Sequence, residues 1–157
     1  MIRMTLAALA LVTPAVALAQ DGLAIRDAYV RSANPKTAAA FMVVENRGAT
    51  DCRLTGVSSD AAAMVDLHTN VEEGGVMKMQ KIEGGIDIPA GGEHALARGG
   101  DHVMLMGLVK PLADGDSIVL TLDFGDCGTQ QVEAALDNDR TEAAPESHAG
   151  HGGHKGH

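Results

Sequence analysis

What most constrains this chain is its rhythm. From Leu23 onward, short apolar or alternating runs are broken by Gly, Asp or Asn at close intervals, and no apolar stripe at helical spacing lasts for three turns. "LAIRDAYVRSA" alternates, and "AAAFMVVEN" reads as a buried strand stopped by "RGATD". "CRLTGVSS", "AAMVDLH", "VMKMQKI", "GIDIPAGG", "EHALARGGD", "HVMLMGLV", "DSIVLTLDF" and "TQQVEAAL" follow, and only "SSDAAAM" offers a single helical turn. Many short strands with turn residues between them predict an all-β Greek-key sandwich or barrel. The chain has one Tyr, two Phe and no Trp, so its core has to be built from Val, Leu, Ile, Ala and some Met.

The two ends read differently from the middle. Residues 1–19 carry Arg3, an apolar run from about Leu6 to Leu18, and Ala17 and Ala19 around Leu18, which is the pattern of a secretory signal cut before Gln20. That run is too short for a comfortable membrane span, and no later stretch is long and apolar enough for one. The short Ala-rich leader points to a bacterial periplasm. Residues 20–136 make one domain of ordinary size. From 137 to 157, "DNDRTEAAPESHAGHGGHKGH" has no apolar run with which to offset its ordering entropy, so it is expected to be a flexible tail. A formal charge of −9 argues against nucleic acid or anionic lipid as partner. In an oxidising compartment, Cys52 and Cys127 are best read as a structural disulfide, since neither has a Cys or His at ligand spacing.

The chemistry lies in histidine and methionine. Five of the six methionines after the leader fall between Met64 and Met106, the interval that also holds every histidine outside the tail. Residues two apart on a strand share a face, so His102, Met104 and Met106 lie together while Val103 and Leu105 take the other side. Met77 and Met79 pair in the same way. A hairpin joining the strand that ends at His68, before the polar "TNVEEGG" turn, to that of Met79 would bring both to one edge. The expected ligands are His68, Met79, His102 and Met104. Two imidazoles and two thioethers form a neutral, soft set that selects Cu(I) over zinc, magnesium or calcium. Methionine is ordinarily core filler. Met42 and Met64 are assigned to the core, Met77 and Met106 to packing around the ion, with Val103 or Met106 limiting oxidation. His94 is read as a solvated strand residue.

These residues resemble the H-x10-M-x21-H-x-M signature of the periplasmic copper chaperones called PCu(A)C. "GVMKM", "IDIPAGG", "GGDHVMLMGL" and "PLADGDSIVLTLDF" share the family's look, and the resemblance runs from about "AIRDAYVRSA" to "VEAAL". One departure is visible: twenty-two residues rather than twenty-one separate Met79 from His102, through the doubled glycine Gly84 and Gly85, where a turn can absorb the extra residue. The resemblance implies a cupredoxin-like fold. It also implies delivery of Cu(I) toward the dinuclear centre of cytochrome c oxidase subunit II, alongside Sco-type thiol proteins.

The tail adds His148, His151, His154 and His157, every third residue, which suit Cu(II) capture while the folded site holds Cu(I). Other readings fit less well. A blue-copper carrier needs His and Met shortly after its Cys ligand, and Cys127 is followed by "GTQQVEAAL". A histidine brace needs His at the mature start. A hydrolytic zinc site built on Asp66 or Asp101 gains nothing from thioethers, and no Ser sits in a nucleophile-elbow pattern. No catalytic role is assigned. A copper buffer without a client requires the same ligands as a chaperone and stays open at this point.

Overall fold

The computed structural model describes residues 22–141. The leader and its cleavage point, and the tail from residue 142 onward, lie outside the described residues. Eleven strands follow in order: β1 (Leu23–Asn34), β2 (Thr37–Asn46), β3 (Cys52–Leu54), β4 (Gly56–Ser58), β5 (Ala62–Glu73), β6 (Val76–Lys81), β7 (Ile86–Ile88), β8 (Glu93–Leu96), β9 (His102–Leu108), β10 (Ser117–Asp123) and β11 (Thr129–Leu136). One short 3-10 turn, Gly125–Cys127, precedes β11. The all-β sandwich expected from the strand rhythm is what forms.

Nine strands make one sheet in the order β4-β10-β11-β1-β2-β9-β5-β6, with β8 also pairing to β2; β3 and β7 form a separate two-stranded sheet. The first and last strands lie parallel, Tyr29 beside Ala135 and Val30 beside Leu136. β2 is the hub. One edge pairs with β1, while the other pairs first with β9 (Thr37 to Ala40) and then with β8 (Met42 to Glu45). Neighbours so far apart in sequence require crossovers of the Greek-key kind. The stretch "CRLTGVSS" does not stay one strand: it breaks at Thr55, whose N–H donates to the Asp123 carbonyl at 2.8 Å, so that β3 joins β7 and β4 joins β10.

The core is aliphatic, as the composition demands. Val30, Met42, Leu54, Leu105, Leu120 and Leu122 are all at 2% exposure or less, and Phe124 is the sole aromatic among them. Tyr29 and Phe41 are buried outside this cluster. Asn46 is a buried polar residue with its needs met: its amide donates to the carbonyls of Thr50 at 2.8 Å and Ile88 at 2.9 Å, and its oxygen accepts from the Gly48 N–H at 3.1 Å. Cys52 and Cys127 are joined, as expected, fastening β3 to the 3-10 turn across a sequence separation of 75. On the chain-entropy account, such a closure contributes about 4 kcal/mol.

Ordered contacts continue past Leu136. Asp137 donates its N–H to the Val30 carbonyl at 2.9 Å, Asn138 accepts from Ser32, and the Arg140 guanidinium lies 4.5 Å above the Tyr29 ring. The segment 137–140 is thereby laid along β1.

Candidate metal site

The site is built on three neighbouring strands, β6, β5 and β9, with β6 at the edge of the sheet. β5 and β6 are joined by a two-residue turn, Gly74 and Gly75, with φ of 61° and 82°. Such left-handed values at both central positions make the tight hairpin whose twist matches the strands, and glycine adopts them without a Cβ penalty. This turn sets the register: His68 opposite Lys81, Asn70 opposite Met79, Glu72 opposite Met77. β5 thus runs on past His68 to Glu73, and the segment expected to be a polar turn after His68 is mostly strand. It alternates well enough to pair, and its turn is confined to the two glycines.

On the other side of β5, His68 stands directly opposite His102, Asp66 opposite Met104, and Met64 opposite Met106. Directly opposed residues of an antiparallel pair share a face, with Cβ atoms about 4.5–5.5 Å apart. Leu67 opposite Val103 and Val65 opposite Leu105 take the inner face. The inner pairs fill the core, and the outer pairs carry the histidines and methionines. His68 and His102 meet edge-on, with ring centroids 6.1 Å apart.

The surroundings fix how those rings can act. His102 is 4% exposed, and its Nδ1 lies 3.0 Å from the Gly100 carbonyl. A carbonyl can only accept, so Nδ1 donates, and in the neutral ring Nε2 is then the nitrogen with a lone pair to offer, the outer-shell arrangement typical of ligating histidines. His68 Nδ1 is the contrasting case: among the described residues it is the one buried side-chain N or O atom with no hydrogen-bond partner. Burial first, then the neighbouring His102, hold the His68 imidazole below its ordinary pKa. Asp66 pulls the other way, and Lys81 adds to the lowering. A neutral ring is the form that binds a metal. Asp66 is held by Lys81 at 2.8 Å, which raises the lysine's pKa, and Asp101 is held by His94 Nε2 at 2.9 Å. Among the described residues, no three His, Cys, Asp or Glu side chains gather to hold an ion. Thioether sulfurs are the further soft donors that the register places on this face.

The sulfur is on the same face. Met104, half-buried, lies two residues along β9 from His102, between Ala39 of β2 and Asp66 of β5. Met79, 51% exposed, sits on the edge strand, one pair beyond His68 on the side away from Met104. His68 and His102 are directly opposed, Met104 follows His102 on the same face of β9 and lies diagonal to His68, and Met79 lies diagonal to His68 from the other side, two strands from His102. The extra residue between Met79 and His102 does not turn Met79 to the other face. The hairpin holds its register through Lys81, and Gly84 and Gly85, at φ of 86° and 84°, lie beyond it.

Some sequence expectations need correction. Met64 is not in the core. At 56% exposure it lies on the outer face opposite Met106, because strand alternation places it with Asp66 and His68. Val103 cannot shield an ion, since it faces the core at 0% exposure. His94 is paired with Asp101 rather than simply solvated. The four expected ligands share the outer face of β9, β5 and β6, with His102 buried and Met79 exposed on the edge strand. The four tail histidines, His148, His151, His154 and His157, fall outside the described residues.

One feature of the face was missed altogether. Tyr29, Phe41, His102 and His68 form a row of rings across β1, β2, β9 and β5, with successive centroids 5.2, 6.2 and 6.1 Å apart. Tyr29 and Phe41 pack behind His102 and keep water from that side. Only the strand order reveals this, although the scarcity of aromatics was a signal that Tyr29 and Phe41 had some special place.

A family model described as "Putative lipoprotein LpqE-like" matches residues 23–136, from the start of β1 to the end of β11. The chain belongs to this LpqE-like family. A relative from Leifsonia xyli subsp. xyli, "Putative lipoprotein Lxx21020", is 41% identical over 112 residues, covering 71% of this chain and 68% of that one. Among solved structures, the Cu(I) form of DR1885 from Deinococcus radiodurans is 32% identical, covers 76% of this chain and 82% of its own, and superposes with a TM-score of 0.58. Its apo form is 31% identical over 88% of this chain and 97% of that one, at a TM-score of 0.56. The copper-bound PCuAC domain from PmoF2 is 24% identical over 74% of this chain and 92% of its own, at a TM-score of 0.61. The fold of this LpqE-like chain is PCuAC-like, and its structural neighbours include copper-bound domains. No helix among the described residues is long and apolar enough to cross a membrane.

Proposed function

We propose that this chain is an exported copper chaperone that carries Cu(I) between His68, His102, Met104 and Met79. The observation that carries the reading is the direct cross-strand pairing of His68 with His102, the partnerless Nδ1 of one ring and the backbone-oriented Nδ1 of the other, on a face that also carries Met104 and Met79 beside the Asp66–Lys81 ion pair. Copper is the cargo, and thioether ligands select the cuprous ion. His102 is held rigid by Phe41 and the Gly100 carbonyl, whereas Met79 sits on an exposed edge strand. Release would begin at Met79, whose neutral sulfur needs no proton to depart. An acceptor's ligand can take its place before the imidazoles let go.

The compartment fitting the leader is the bacterial periplasm. The client we propose is the dinuclear copper centre of cytochrome c oxidase subunit II, with Sco-type proteins acting alongside. Mixing Cu(I)-loaded chain with an apo oxidase copper domain should metallate that domain. An acceptor that stays empty would reduce the role to buffering. The histidines at 148, 151, 154 and 157 would capture Cu(II). If a chain ending at Thr141 binds as much Cu(II) as the full chain, the tail has no such part.

A further inference from the structure

The outer face continues beyond the four proposed ligands. Past Asp66 and Met104, the β5–β9 register brings Met64 directly opposite Met106. Met64 is 56% exposed and Met106 half-buried, so neither earns its place by filling the core. On β2 the residue opposite Met106 is Thr37. The strands also run close here: a Cβ on Gly107, at φ +69°, would come within 3.1 Å of the Ala63 Cβ, so the two methionines are presented from a tightly apposed stretch of backbone. The nearest carboxylate on this face, Asp66, is taken up by Lys81 at 2.8 Å.

We propose that Met64 and Met106 form a second soft-metal site, which binds a monovalent ion such as Cu(I) through two thioether sulfurs, with Met104 within reach as a shared third ligand. Two facing methionines on neighbouring strands present neutral, polarisable sulfur on flexible stems, which suits Cu(I) or Ag(I) and gives little to zinc or calcium. Neither residue belongs to the four-ligand set, so the inference goes beyond the chaperone reading. Met104 lies on the same strand face between Met106 and His102. An ion held at Met64 and Met106 could therefore take the Met104 sulfur and pass to His102 by exchanging one ligand at a time, with no proton lost or gained. Lacking imidazole, this site should be the weaker of the two.

The test is a titration of the full chain, labelled at its methionine methyl groups, with Ag(I) as an air-stable stand-in for Cu(I), followed by NMR. The tail contains no methionine, and the buried Met42 serves as a control. Two steps are expected: a first that moves Met79 and Met104, and a second that moves Met64 and Met106. The Met64→Leu/Met106→Leu variant, altered at outward-facing positions by volume-conserving changes, should lose the second step and keep the first. Met64 and Met106 signals that move no more than Met42 at saturating Ag(I) would overturn the proposal, as would a second step that survives in the double variant. If Met64 and Met106 respond while the first step is missing, the four-ligand reading fails and this one stands; the reverse pattern removes only this one.

Discussion

Strand β9 has two sides with opposite duties. Val103 and Leu105, both at 0% exposure, point into an aliphatic core, while His102, Met104 and Met106 alternate with them on the outer face. On the inner side every atom is surrounded, so volume decides what is tolerated. On the outer side, packing constrains little at Met104 and Met106, and the identity of the donor atom decides. His102 belongs to both, being buried against Phe41 yet aimed across at His68. The lesson is that stability and chemistry are separable here along a single strand, one residue at a time.

The comparison can be broken most forcefully from the inside. Leu105→Ala should cost about 2–5 kcal/mol of unfolding free energy, read from denaturant midpoints, because it leaves a cavity in a close-packed core. Cu(I) affinity of the folded fraction should be unchanged. On the outside the pattern inverts. Met104→Leu keeps volume and apolarity, so stability should change by less than about 1.5 kcal/mol. Cu(I) affinity should nevertheless fall by at least about tenfold, equivalent to roughly 1.4 kcal/mol, in competition with a chromogenic Cu(I) chelator.

A smaller effect concerns pH. The His68 pKa is lowered in the folded state, so below its ordinary value the unfolded chain binds the proton more readily than the folded one. The stability this group contributes is therefore present above about pH 6.5 and is lost as pH falls below it. Urea midpoints of the metal-free protein should drop over that window, and His68→Gln should flatten the slope. Cu(I) affinity should weaken in the same direction as His68 protonates. The smallest effect is expected at Met77, 59% exposed and opposite Glu72. Met77→Leu should move both stability and affinity by less than about 0.5 kcal/mol, as for surface changes generally.

Much of this was legible in the sequence because it rests on local periodicity. The alternation in "HVMLM" alone assigns His102, Met104 and Met106 to one face, and the turn residues mark out the strands. The cysteine count and the lack of any Cys or His at ligand spacing pointed to the Cys52–Cys127 pairing. What could not be read was whatever depends on partners distant in sequence. Met64 looks like core filler until β5 is placed beside β9, and the row from Tyr29 to His68 needs four strands in their observed order. The turn after His68 was misplaced because Thr69, Asn70, Glu72 and Glu73 look loop-like. Only the pair Gly74 and Gly75 has the backbone freedom that a two-residue hairpin needs, and it lets the strand run to its full length.

The most direct test of the account is X-ray absorption at the copper edge on the chain loaded with one equivalent of Cu(I). The account predicts a mixed shell of nitrogen and sulfur neighbours, with the sulfur contribution roughly halved in Met104→Leu. A shell of nitrogen and oxygen alone, unaltered by that substitution, would contradict it.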